Sequence, residues 1–171
     1  MIKKLQILLF IALTGCSSGI LDYETCPRVQ IMREDAYLSQ VVHSRETFQI
    51  NLIGFDGYCY WDKKIKQNKA LIKPIFQIKR LRPSDETEVH FSFYTETVKG
   101  PPEYLGKKTH FAVAPIPATA LEIEYTAPQV LVYVPEEYKY SYDINMGLVI
   151  TAEERKYNHR TFDVEYRYFN K

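Results

Sequence analysis

The chain has 171 residues, enough for one domain with a sizeable core. Its 22 basic and 21 acidic residues nearly cancel, which excludes the basic footprint of a nucleic-acid-binding protein and gives no sign of a polybasic patch for anionic lipid. Aromatics make up 14% of the chain, with 14 Tyr and 9 Phe, and with frequent Val, Ile and Thr they favour strands over helices.

The N-terminus stands apart from that domain. Lys3 and Lys4 form a basic tip, Ile7 to Leu13 an apolar run and Gly15 a small-residue exit, the three parts of a secretory signal. The run is shorter than the roughly 20 residues that cross a bilayer as a helix. Leu13-Thr14-Gly15-Cys16 resembles the signal of a bacterial lipoprotein precursor, in which a small residue precedes a Cys that becomes the lipidated first residue. A plain signal followed by a chance Cys is the alternative. The resemblance implies three acyl chains on Cys16, and each buried methylene contributes about 0.8 kcal/mol of membrane affinity. It also implies an outer-membrane protein, because Ser17 is not the Asp that retains such proteins at the inner membrane. The domain would face the periplasm or, alternatively, the cell surface. The expected divisions are a signal at 1–15, the lipidated Cys and a short tether at 16–24, and one domain at 25–171.

Cys26 and Cys59 then remain as an even pair in an oxidising compartment. Their bridge would stabilise the fold by about 3–4 kcal/mol through loop closure. Two free buried thiols are the alternative.

Along the domain, Val29 and Ile31 alternate with Arg28 and Gln30 as a first strand. Arg33 to Leu38 reads as one helical turn and Ser39 to Arg45 as a loop. Phe48, Ile50 and Leu52 make a half-buried strand, broken by a turn or bulge at Gly54-Phe55-Asp56-Gly57. Tyr58 to Trp61 resumes it. Ala70 to Leu81 is long and apolar on both faces, with Pro74 marking an edge or bulge. Residues 70–81 and 87–98 read as a hairpin across the turn Arg82-Pro83-Ser84-Asp85. A loop from Gly100 to Gly106 follows, then strands at Thr109–Ala114, Leu121–Tyr125, Val130–Val134 and Ile144–Ile150. Thr151-Ala152-Glu153-Glu154 fits a capping box and predicts a helical turn ending near Asn158. Phe162, Val164, Tyr166 and Tyr168 alternate as a last strand.

Eight to ten short strands and no long amphipathic helix predict an all-β chain. The expected form is an antiparallel β-sandwich, immunoglobulin-like in the broad sense. A closed lipocalin-type barrel is the alternative. Cys26-Pro27-Arg28-Val29 and Leu148-Val149-Ile150-Thr151-Ala152-Glu153-Glu154 also resemble stretches of uncharacterised small alphaproteobacterial lipoproteins. That resemblance implies no activity.

The sequence carries no sign of catalysis, cofactor or metal. His43, His90, His110 and His159 lack metal-ligand spacing, though His90 and His110, each in a predicted strand, could approach across a sheet. No Gly-x-Ser-x-Gly or phosphate-binding Gly-rich loop occurs. Asp85-Glu86 and Glu136-Glu137 lie in turns, as solvated charge does. The candidate recognition surface is tyrosine-rich: Tyr133, Tyr138, Tyr140 and Tyr142, with Tyr104 in a second loop. A rigid aromatic body with a polar tip suits recognition, although such tyrosines also line ordinary strands. The expected function is therefore a non-catalytic accessory lipoprotein that binds another envelope protein. Glycan or peptidoglycan binding is the alternative, and an envelope enzyme with a scattered site a further one.

Overall fold

A computed structural model describes residues 26–42, 45–99, 103–135 and 142–161. Nine strands run through them: β1 (Arg28–Ile31), β2 (Tyr37–Val42), β3 (Arg45–Asp62), β4 (Gln67–Arg80), β5 (Glu88–Lys99), β6 (Glu103–Pro115), β7 (Glu122–Thr126), β8 (Val130–Pro135) and β9 (Asp143–Leu148). Helix α1 (Ala152–Thr161) follows. The first sheet has the order β1-β9-β5-β6 and the second β2-β3-β4-β7, with β8 also paired to β4. Every pair is antiparallel except β1 with β9. The two sheets pack face to face as the expected β-sandwich, and among the described residues neither closes into a barrel.

Alternation builds the core. β4 turns Ala70, Ile72, Phe76 and Ile78 inward, β5 turns Val89, Phe91 and Phe93, and β9 turns Ile144, Met146 and Leu148. Phe76 in one sheet meets Phe91 in the other edge-on, ring centroids 4.7 Å apart, and Phe93 at 5.4 Å. Each such ring stabilises the fold by about 1.5–3 kcal/mol through burial.

β3 reverses its facing partway. Its pairing with β4 jumps from Leu52↔Phe76 to Gly54↔Ile75, so Ile53 is an extra residue and the break is a bulge. Before it, Phe48, Ile50 and Leu52 face the core; after it, odd positions do. Cys59 consequently points inward and bonds Cys26, with the Cα atoms 5.6 Å apart. Tyr58 and Tyr60 consequently point outward.

Pro74 sits in a central strand without breaking the ladder. β8 pairs with Gln67–Ile72 and β7 with Ile75–Lys79, so Pro74 falls in the gap between them. Its carbonyl accepts from Ala127 N–H at 2.9 Å, and its missing N–H faces the same connection, where no strand needs it.

The structure corrects several expectations. Tyr37 to Val42 is one strand, so the helical turn expected to Leu38 ends at Asp35 and the loop expected from Ser39 is strand; its polar edge character and the register shift at Gln40/Val41 hide the alternation. Glu103 to Gly106 belongs to β6 rather than to the preceding loop. Residues 70–81 and 87–98 are not a hairpin, because β4 and β5 lie in different sheets. The buried side chain of Arg80 holds that crossover. Its guanidinium donates to the carbonyls of Ala120, Ser84, Glu86 and Pro117 at 2.8–3.3 Å and lies over the Phe48 ring at 5.0 Å. One cation thus ties the β4–β5 and β6–β7 crossings together. The capping box forms as expected: Glu154 N–H donates to Thr151 Oγ1 at 3.2 Å, and Thr151 N–H donates to the Glu154 carboxylate at 2.7 Å. α1 continues to Thr161, past the expected end. The last predicted strand, Phe162 to Tyr168, lies outside the described residues.

Candidate functional site

A sandwich has two outer faces, and here they are treated differently. The first sheet's outer face is covered where a 3₁₀ turn (Arg33–Asp35) and α1 lie on it. Tyr94 points outward from β5 yet is 3% exposed. Its hydroxyl donates to Asp35 at 2.5 Å, and Arg155 donates to both oxygens of the same carboxylate at 2.5 and 3.0 Å. Burial first, and the Asp35 bond second, push the Tyr94 phenol far above its ordinary value. Asn158 donates to the carbonyls of Glu34 and Tyr37, docking the helix. Gly147 lies beneath, where a Cβ would stand 2.5 Å from Asp35 Cβ. This polar cluster is packed shut.

Among the described residues, the second sheet's outer face is open around the tyrosines. Past the bulge, Tyr58 and Tyr60 stand side by side, 57% and 37% exposed, with ring centroids 6.3 Å apart and planes 23° apart. Lys69 on β4 lies between Tyr60 and its other register partner, Tyr133 on β8. Its ammonium is 5.7 Å from one ring centroid and 5.6 Å from the other. Asp62 bonds the same ammonium at 2.6 Å. That bond holds the Asp62 carboxyl below its usual range and raises Lys69, so both stay charged at neutral pH. Two tyrosines flank a fixed cation across three strands, a geometry suited to stacking and cation–π contact. Further along the face, Gln49, Asn51, Gln77 and Glu122 form a hydrogen-bonded ladder of 2.6–3.1 Å steps.

The positions singled out in the sequence separate. Tyr133 belongs to the open face at 48% exposure. Tyr142 does not: it is 5% exposed and packs in the core, where burial pushes its phenol up to about 12. Tyr104 lies in β6 opposite Val98, with its side chain outside the described residues. Tyr138, Tyr140, Cys16 and His43 lie outside them altogether. His90 and His110 do not meet. His90 points outward beside Glu88 and Phe111, while His110 points inward, stacked on Phe93 at 5.0 Å and bonded to Thr95 at 3.0 Å. His159 lies on α1, 3.5 Å from Glu34.

Tyr58, Tyr60 and Lys69 went unselected in the sequence, yet a signal existed. If Cys59 faces inward to a disulfide, both neighbours on an extended strand must face outward.

The ends of the sandwich also differ. At the Cys26 end, the disulfide, the β3–β4 hairpin, the end of β8 and the start of β9 come together. The tyrosine face lies at this end, and the Arg80 crossings lie at the other. Compared with known protein-family models, curated proteins and solved structures, the chain matches none.

Proposed function

We propose that the chain is a lipid-anchored envelope protein, acylated on Cys16 and held at the outer membrane, that binds another envelope protein through the face formed by Tyr58, Tyr60, Lys69 and Tyr133. It acts as an accessory module without chemistry of its own. The observation that carries this reading is the aromatic row itself: rigid exposed rings around a cation fixed in place by Asp62. Aromatic anchors of this kind dominate binding energy in protein interfaces. The Cys26–Cys59 bond ties the start of the domain to the strand that carries Tyr58 and Tyr60, so a short tether from Cys16 would keep that face close to the membrane.

Crosslinking in intact cells, followed by purification through a C-terminal tag, tests it. One envelope protein should be recovered in constant ratio, and Tyr58→Ala with Tyr60→Ala should reduce its recovery at least tenfold. Undiminished recovery would remove the face from the account. A second reading, glycan binding, draws on the near-parallel Tyr58 and Tyr60 rings and the amide ladder beside them. It predicts co-sedimentation with cell-wall sacculi, lost in the same double variant.

A further inference from the structure

The β3–β4 hairpin turns at the Cys26 end. Its tip consists of Lys63, Lys64, Ile65 and Lys66, all exposed. Ile65, an apolar side chain, is 47% exposed. The tip is also preshaped. Asp62 Oδ1 accepts from the N–H groups of Lys64 and Ile65 at 2.9 and 3.4 Å, and Lys66 adopts a positive φ of 51°. The acidic charge at the base is matched by Lys69, which leaves the tip basic. The near-zero charge of the whole chain conceals this local surplus.

Position gives the tip its partner. Cys26 lies ten positions after Cys16. Whatever path they take, the residues between them span at most about 35 Å. From Cys59, where Cys26 is bonded, the strand runs three residues to Asp62, about 10 Å, and the turn that carries Ile65 lies just beyond. The tip therefore lies well within the distance that the tether allows between its attachment point and the bilayer.

We propose that this hairpin tip docks on the anionic headgroups of the membrane that holds Cys16, with Lys63, Lys64 and Lys66 on the headgroups and Ile65 between them. The proposal rests on the acylation of Cys16. An anchor alone tethers the domain without orienting it; a second contact fixes which side faces the bilayer. Docking here would stand the tyrosine row upright at the surface, open to a neighbour in the same membrane. Basic residues beside a bilayer each contribute by attraction to anionic lipid, and that attraction fades with salt.

The test uses the full chain produced with its own signal, purified and reconstituted into vesicles. The mass of the N-terminal peptide reports acylation. Ile65→Trp places an indole at the tip, and the parent chain, whose one tryptophan is Trp61, supplies the background. Brominated phosphatidylglycerol should quench the added emission at least twofold more than brominated phosphatidylcholine. One molar salt, or Lys63→Gln with Lys64→Gln and Lys66→Asn, should abolish that difference; Asn tolerates the positive φ. Equal quenching in both lipids with Cys16 acylated would overturn the docking and leave the anchor intact. An unmodified Cys16 would end both.

Discussion

Two aspartate–cation pairs sit on the two outer faces of the sandwich, and they do different work. Asp35 is buried: Arg155 grips both its oxygens, Tyr94 donates to it, and a helix covers it. Asp62 and Lys69 are partly covered, by tyrosine rings and with no helix over them among the described residues. The first pair closes a face, because a buried carboxylate is tolerated only when its hydrogen bonds are satisfied. The second leaves a face open and holds a cation in place on it. A salt bridge thus says little by itself; what lies above it decides whether it serves packing or recognition.

The largest test of that contrast is Arg155→Ala. Removing one partner of a buried pair costs about 3–5 kcal/mol. Arg155 is half exposed and Tyr94 still serves Asp35, so about 2–3 kcal/mol is expected. Thermal unfolding should fall by roughly 5–10 °C. Lys69→Ala, its counterpart on the other face, leaves a partly solvated Asp62 rather than a buried one and should lower the melting temperature by less than half as much. Equal losses for the two would dissolve the contrast.

Tyr94→Phe sharpens it. The ring keeps its packing and its contact with the Lys107 ammonium, 3.5 Å away, while Asp35 loses one donor. About 1 kcal/mol should go, measured by urea denaturation with an unchanged slope. Gly147→Ala probes the same spot sterically and should cost about 1–3 kcal/mol.

On the open face, Tyr58→Ala and Tyr60→Ala should each shift stability by no more than about 0.5 kcal/mol, as exposed positions do. The tenfold loss of partner recovery then separates binding from folding. A collapse in stability would mean that the rings are packing elements instead.

Much of the sandwich was legible because burial writes a period of two into the strands. β4 and β7 follow it throughout, and β5 through its first half. The capping box at Thr151 was legible because its chemistry is local. What stayed hidden depends on contacts distant in sequence. Nothing near Arg80 says that its side chain will bind the carbonyls of Pro117 and Ala120, so β4 and β5 read as a hairpin. The bulge at Ile53 could be suspected from Gly54, but whether the chain turns there or merely reverses its facing depends on β4. The tyrosine face followed from that reversal. Tyr133 could be named from its cluster, but the same cluster contained Tyr142, which turns into the core.

Two histidines on one strand pair provide the finest comparison. His90 points out and His110 points in. Burial, then the nearby charge of Lys108, lowers the His110 pKa below its ordinary 6.5. A proton on this ring must sit against Phe93 and beside the Thr95 hydroxyl, partly shielded from water. The unfolded chain therefore binds that proton more readily than the folded one, and protonation favours unfolding. Stability from the neutral ring is complete above pH 6.5 and declines as the pH falls below it, towards the lower folded value. Urea midpoints between pH 7.5 and 5 should fall for the parent chain and fall less steeply for His110→Gln. His90→Gln, on the opposite face of the same strands, controls for the loss of a histidine as such and should keep the parent slope. A parent curve that rises on acidification would reverse the sign and show that the folded ring gains a proton more readily than the free one, which a ring stacked beneath Phe93 beside Lys108 should not do.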